Sequence, residues 1–423
     1  MTTSRLRVGV AELEITPELG VELVAELAPR TATGTHTPLM ARALVLSSGD
    51  QQLAVVTLDL YGLQPSAAEE LLAAIERCCG LAPRQVMLIC SRTRGAPCTT
   101  PVVGSHGVDQ TFVNKILDQV SGVVEAGLNS LQDASIGVGH AALPHLVFNH
   151  RLMTRNMKVI TAWLGVPRDE VLFPEGPTDP QFTVLVIRDD HGFPLCLAWN
   201  FAADNRFPQD GMISAGLPQL VQAELDTRLG RHVPLLYLAG CGGNVSFIPE
   251  LDEAVDVVTS GVMAVQLETP CDPLIQLASA QERMVLPVRD YSRFWSQADI
   301  ELKAPEAVEA FARELDFLQQ EGAYAVPASV QAFRLGRFAL VGLPGMPFVE
   351  FALEMKARSP AQATIVAANT GGDAGYLATR PSFDHGGFET WPARSARVGP
   401  GGGEFAAERA LNLLNELWNT RGV

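Results

Sequence analysis

The run VMLICSRTRGAP, residues 86–97, places two guanidinium groups, Arg92 and Arg94, at the mouth of an apolar strand. A guanidinium offers five N–H donors in a rigid fork and no lone pair, so it grips a carboxylate bidentately and cannot ligate a metal. The pair reads as an anion-recognising pocket, against the plainer alternative of two solvated loop cations, because arginine is mostly exposed. Asp204 follows the strand-like WNFAA, where its carboxylate either faces those arginines or caps a turn. Ser246 lies in GGNVSF without a Gly-x-Ser-x-Gly elbow, a context in which serine usually serves the turn itself. Ser105 and His106 adjoin in GSHG, but neighbouring residues seldom form a catalytic pair, and a loop is the reading. His36, His140, His145 and His150 are spaced unlike a ligand set and read as structural, while His191 and His385 lie in turn contexts. VGPGGGEFAAERA lacks the Lys-Ser/Thr of a phosphate loop and reads as a lead into the last helix.

An alternation of strands and helices must position these residues. RALVLSSGDQQLAVVTLDL and FTVLVIRDDHGFPLCLAWNF each read as a hairpin, two β-branched, Leu-rich runs around a polar turn. SAAEELLAAIERCC and TFVNKILDQVSGVVEAGLNSL repeat apolar residues at three and four, the period of amphipathic helices. Further strands are PLLYLAG, VQAFRLGRFALVGLPG and ATIVAANT, with helices near 214–229, 305–321, 348–358 and 404–418. The class is α/β with a mixed β-sheet core and flanking helices. Several strands end abruptly in polar or Gly-rich turns, at ICS-RTRGAP, WNFAAD-NRFP, YLAG-CGGNVS, VGLPG-MPF and ANTGG-DAGY. Ligands of α/β sheets sit outside the carboxyl ends of strands, so these turns are expected to converge on one site.

Composition bounds the partners. The 423 residues are 47% hydrophobic and 18% charged, enough for a large core, and no linker, repeat or low-complexity tract divides them, so one domain over 1–423 is expected. A formal charge of −16 with scattered Lys and Arg repels phosphate backbones and anionic lipid, which argues against a nucleic-acid partner. No window reaches the roughly 18 apolar residues of a membrane span and the N-terminus has no signal-like apolar region, so a cytoplasmic location is expected. Seven cysteines with no CxxC pair, mostly in apolar runs, read as reduced packing residues rather than a disulfide framework or zinc site.

The order AELEITPELG, TPLMARALVLSSGD, VTLDLYGL, SRTRGAP, NFAAD, GGNVS, LVGLPGMPFVE and GYLATRPSFDHGGFE resembles the neutral ceramidase family, collinearly over nearly the whole chain. The resemblance stops short of the family's C-terminal immunoglobulin-like domain, which the chain is expected to lack. It implies an N-acyl amidase fold whose zinc is held by two histidines, a glutamate and a tyrosine. Position by position, the first histidine falls on Arg92, a second functional histidine on Arg94, the other ligand histidine on Asp204 and the glutamate on Met346; only the tyrosine persists, as Tyr376. A further functional tyrosine falls on Phe388, and Ser246 matches a substrate-contacting or nucleophilic serine. Arginine has no lone pair and zinc rarely takes a thioether, so neither a bound metal nor another cofactor is expected.

Two functions follow as expectations. One is a non-catalytic binding protein that holds a peptide or acyl-amide for partner enzymes of a biosynthetic pathway, with Arg92, Arg94, Asp204, Asn244, Ser246, Met346, Tyr376 and Phe388 lining its pocket and an Arg92–Asp204 ion pair where the metal stood. The other is a metal-independent amide hydrolase or cyclase using Ser246 with Asp204 and Tyr376.

Overall fold

The computed structural model describes residues 3–24, 27–164, 170–207, 211–289, 305–321 and 325–419. Its centre is two β-sheets laid face to face. In the larger, the strands run Leu235–Ala239, Pro194–Phe201, Gln181–Asp189, Gln132–Ala142, Ser4–Glu14, Met40–Ser48, Gln51–Leu58 and Val86–Cys90, with the short Leu274–Ile275 also pairing with Ser4–Glu14. The outermost pair at each edge is parallel and the interior pairs are antiparallel. The smaller sheet runs Leu277–Leu286, Val326–Leu335, Phe338–Gly342 and Ala363–Ala367, again with a parallel last pair.

Alternation along the strands explains the layering. Leu44, Leu46, Leu53 and Val55 pack in the same core as Leu340 and Ile365 of the smaller sheet. Their sequence neighbours Ala43, Val45, Ala54 and Val56 point the other way, onto the helices Pro65–Cys79 and Gln110–Asn129. Because both faces are covered, the strands read as continuous apolar runs rather than alternating ones. On the smaller sheet Phe333 and Leu340 face inward, whereas Ala332, Ala339 and Val341 meet the helices Val349–Arg358 and Gly402–Asn419. The order of layers is helices, large sheet, small sheet, helices. One helix lies unusually close: a Cβ on Gly9 would stand 1.8 Å from the Gly127 carbonyl oxygen, so glycine is what lets the helix Gln110–Asn129 touch the strand.

Both predicted hairpins form, Met40–Ser48 with Gln51–Leu58 and Gln181–Asp189 with Pro194–Phe201. The strands Ser4–Glu14, Gln132–Ala142 and Leu277–Leu286 and the helix Leu251–Glu268 were not legible in the sequence. Gln132–Ala142 holds two glycines, Gly137 and Gly139, whose missing side chains admit Thr269 and Pro270, so packing rather than propensity makes it a strand. The parallel strands of the two sheets meet at their carboxyl ends. The Cys90 N–H donates to the Asn369 carbonyl (3.2 Å), the Ala368 N–H to that of Ala239 (2.7 Å), and the Asn369 N–H to that of Gly345 (2.7 Å). All seven cysteines are unpaired thiols, and among the described residues no helix is long and apolar enough to cross a membrane.

Candidate active site

Where the strand Val86–Cys90 ends, backbone bonds carry the chain inward: the Ser91 N–H donates to the Leu58 carbonyl and the Arg92 N–H to that of Leu60, both at 2.9 Å. Arg92 takes φ = 65°, a left-handed conformation that costs a non-glycine residue about 1–2 kcal/mol. It is only 2% exposed and Arg94 only 4%, which rules out solvated loop cations. The Arg92 guanidinium carbon lies 4.0 Å from the Tyr61 ring centre and 5.4 Å from that of Tyr376, and Arg94 lies 5.1 Å from the Tyr61 ring. Burial alone would lower the Arg92 pKa; Tyr61, Tyr376, Asp373 and Asp204 together raise it, so the group stays a cation.

The expected Arg92–Asp204 pair is corrected by the structure. The carboxylate that reaches Arg92 is Asp373's, with Nη1 3.8 Å from Oδ1. Asp204 is instead pinned by its backbone, its N–H donating to the Val245 carbonyl (2.9 Å) and its strand bridging to Ser246. Neither the side-chain nitrogens of Arg92 nor Asp204 Oδ1 make a hydrogen bond among the described residues. Met346 pairs with Tyr376 in a two-strand ribbon, and the Phe388 ring stands edge-on to Tyr376 at 6.3 Å. The four positions of the expected zinc set therefore gather in one place, yet as Arg92, Asp204, Met346 and Tyr376 they do not fit zinc. The guanidinium brings positive charge and no donor atom, and burial raises the Tyr376 phenol against forming a phenolate. Among the described residues no three His, Cys, Asp or Glu side chains form a metal-binding group.

A second constellation lies beside the first. The strand Val245–Phe247 pairs antiparallel with Val147–Asn149, setting Ser246 opposite Phe148 and bringing His150 alongside, where its N–H donates to the Asn244 carbonyl (3.0 Å). His150 Nδ1 lies 2.7 Å from Ser246 Oγ and His150 Nε2 lies 3.0 Å from Glu389 Oε1. Glu389 is 1% exposed; burial alone would raise its pKa, but Arg151 and the His150 hydrogen bond more than offset this and hold it at about 2. An ionised carboxylate only accepts, so Nε2 carries the proton, and in the neutral ring Nδ1 is left as acceptor for the Ser246 hydroxyl. Arg151 binds both Glu389 and Glu175, and Glu175 also meets His385 (2.7 Å), so the carboxylate that fixes the imidazole is itself fixed.

His150, expected to be merely structural, is thus a member of the site, and Glu389 is a residue that sequence reasoning did not reach. The separations, 96 residues to Ser246 and 239 to Glu389, leave no local signal; the one clue was the match of Ser246 to a functional serine. The side-chain partner of Ser246 is His150 rather than Asp204 or Tyr376; Asp204 meets Ser246 through a backbone bridge. Asn244 spends its amide on the helix Val349–Arg358, accepting from the Val349 N–H (2.9 Å) and donating to Glu350 (2.8 Å). Ser105 and His106 lie in a loop, where His106 pairs with Glu22.

Ser246 opens into a groove of about 330 Å³ lined by Phe148, Ala162, Trp163, Arg206, Phe207 and Phe247. Trp163 and Arg206 stack with 3.6 Å between guanidinium carbon and ring centre. The same two residues also line a smaller inner cavity, about 10 Å³, whose walls include Tyr61, Arg94 and Phe388. The groove of the serine and the buried arginines are thus separated by one stacked pair.

The fold is that of neutral ceramidases. A structure titled a ceramidase complexed with C2 superposes with a TM-score of 0.77 at 15% identity, covering 98% of this chain and 75% of that one. A neutral ceramidase from Pseudomonas aeruginosa superposes with a TM-score of 0.74 at 15% identity, covering 99% and 75%. No family model matches the sequence. No curated protein matches it either.

Proposed function

We propose that this chain is a metal-independent acyl hydrolase on a ceramidase scaffold, with Ser246 as nucleophile, His150 as its base and Glu389 as the carboxylate that orients His150. The observation that carries this reading is the unbroken hydrogen-bonded line from Ser246 Oγ through the imidazole to an ionised, buried carboxylate. Nucleophile, base and orienting group stand in hydrogen-bond contact, which is what activating a hydroxyl requires. The ring nitrogens are exchanged relative to the serine proteases, but the chemistry needs only one basic nitrogen towards the hydroxyl and one N–H towards the carboxylate. The resemblance makes an N-acyl amide the expected substrate class.

In the first half-reaction Ser246 Oγ attacks the acyl carbon and its proton passes to His150 Nδ1. The C–N bond then breaks as His150 returns that proton to the leaving amine, giving an acyl-Ser246 ester and free amine. In the second half-reaction a water, deprotonated by His150, attacks the ester and releases the acid. Capture by an amine of the substrate itself would close a ring instead, which is the cyclase form of the same chemistry.

The non-catalytic binding role, holding a peptide or acyl-amide for partner enzymes, is favoured by a different observation: the buried Arg92 guanidinium with no hydrogen-bond partner, a ready anchor for a carboxylate. One experiment separates the two. The purified protein is treated with a fluorophosphonate and assayed on N-acyl p-nitroanilides in the presence of EDTA. A single phosphonate on Ser246, and hydrolysis lost in Ser246→Ala and His150→Ala but not with EDTA, is the expected result. No labelling, together with activity indifferent to Ser246, overturns the serine reading.

A further inference from the structure

We infer that the substrate is an N-acyl amino acid, its apolar acyl chain lying on Phe148, Phe207 and Phe247 and its carboxylate taken between Arg206 and Arg94. The inference rests on the serine reading above and adds which amides the site would choose.

The observations are of shape and charge. The groove at Ser246 is walled by three phenylalanines and Trp163, with Arg206 as its cation. An apolar chain laid against the rings loses contact with water, so the acyl side of the bond belongs on that wall. The leaving amine must then point to the side where polar groups converge, and that side holds guanidinium groups. Arg206 faces the groove, Arg94 lines the cavity immediately behind it, and Arg92 lies deeper still over the same Tyr61 ring. Of the three, Arg92 already faces the Asp373 carboxylate, Nη1 lying 3.8 Å from Oδ1, so the two nearer the groove are the ones an incoming carboxylate meets first. A planar carboxylate matches a guanidinium fork, and the contact is strong where water is excluded.

The stacked Trp163 and Arg206 also explain how the inner cavity can be part of the site while holding only about 10 Å³, room for one water. Trp163 and Arg206 form its wall towards the groove. A carboxylate that draws Arg206 off the indole face opens the way to Arg94, so binding and opening are one event.

The test uses Ser246→Ala protein, which cannot turn over, titrated calorimetrically with N-octanoylglycine and with N-octanoylglycinamide. The acid should bind on the order of 10- to 100-fold more tightly, a ratio expected of a charge-assisted bidentate contact. Arg206→Gln and Arg94→Gln in that background should erase the preference, and Arg206→Lys should restore only part of it, because an ammonium lacks the fork. N-acetylglycine should bind weakly, since it leaves the aromatic wall bare. Equal affinity for acid and amide, or a preference that survives in both arginine variants, overturns the inference. Turnover by the wild-type protein distinguishes this failure from that of the serine reading. Hydrolysis of acid and amide at equal kcat/KM leaves Ser246 as nucleophile and removes the carboxylate site; selective binding of the acid without any cleavage does the reverse.

Discussion

At the scale of single residues, the site is an economy of charge. Glu389 is ionised while buried because Arg151 and His150 face it, and its pKa is held at about 2 against an ordinary 4.5. A carboxyl depressed on folding stabilises the native state above its unfolded pKa and loses that contribution as pH falls through the folded one. Glu389 therefore contributes on the order of 3 kcal/mol near neutrality, lost between about pH 4.5 and 2. Thermal melts across that window should fall more steeply for the wild-type protein than for Glu389→Gln, which starts lower because Arg151 loses one carboxylate; parallel slopes would contradict the assignment. The Arg92–Asp373 pair makes a second case. Asp373→Ala leaves a buried guanidinium without its nearest carboxylate, so it should destabilise by about 3–5 kcal/mol, whereas Arg92→Met with Asp373→Ala should cost less than that single change. A double-mutant cycle in urea measures the coupling, and additive effects would show that the two charges do not interact.

At the scale of elements, the site is made by strand ends and by close approaches that only glycine permits. A Cβ on Gly9 would collide with the Gly127 carbonyl at 1.8 Å, so Gly9→Ala should push the helix Gln110–Asn129 off the large sheet and destabilise by about 1–3 kcal/mol or more. Chemical denaturation checks the value; a loss below about 0.5 kcal/mol would mean that the contact relaxes freely. The two hairpins and the longer strands that end at the site were legible because each keeps its period and its turn residues together. The short strands Val147–Asn149 and Val245–Phe247, which place His150 beside Ser246, were not, since three residues hold no period to detect.

At the scale of the molecule, net charge and local charge oppose one another. A chain of −16 repels an anionic substrate over a Debye length of about 30 Å at 0.01 M salt and about 8 Å at 0.15 M, while the arginines act only inside the cavity. Raising salt over that range should increase the association rate of an N-acyl amino acid and leave its neutral amide unchanged. Stopped-flow binding to Ser246→Ala protein reads the difference, and a rate that falls with salt would place an attractive field at the mouth.

Sequence alone determined the α/β class with its mixed sheet, the longer strands that end at the site, and that Arg92 and Arg94 have no lone pair to give a metal, because period, turn chemistry and donor atoms are local properties. Only the tertiary structure decided who faces whom. Asp373 rather than Asp204 reaches Arg92, and His150 and Glu389, 239 residues apart, close on one another beside Ser246. The reason is physical: a residue's chemistry is written in its side chain, whereas a hydrogen bond across the fold exists only once packing has brought its two ends within 3 Å, and no spacing along the chain encodes that distance.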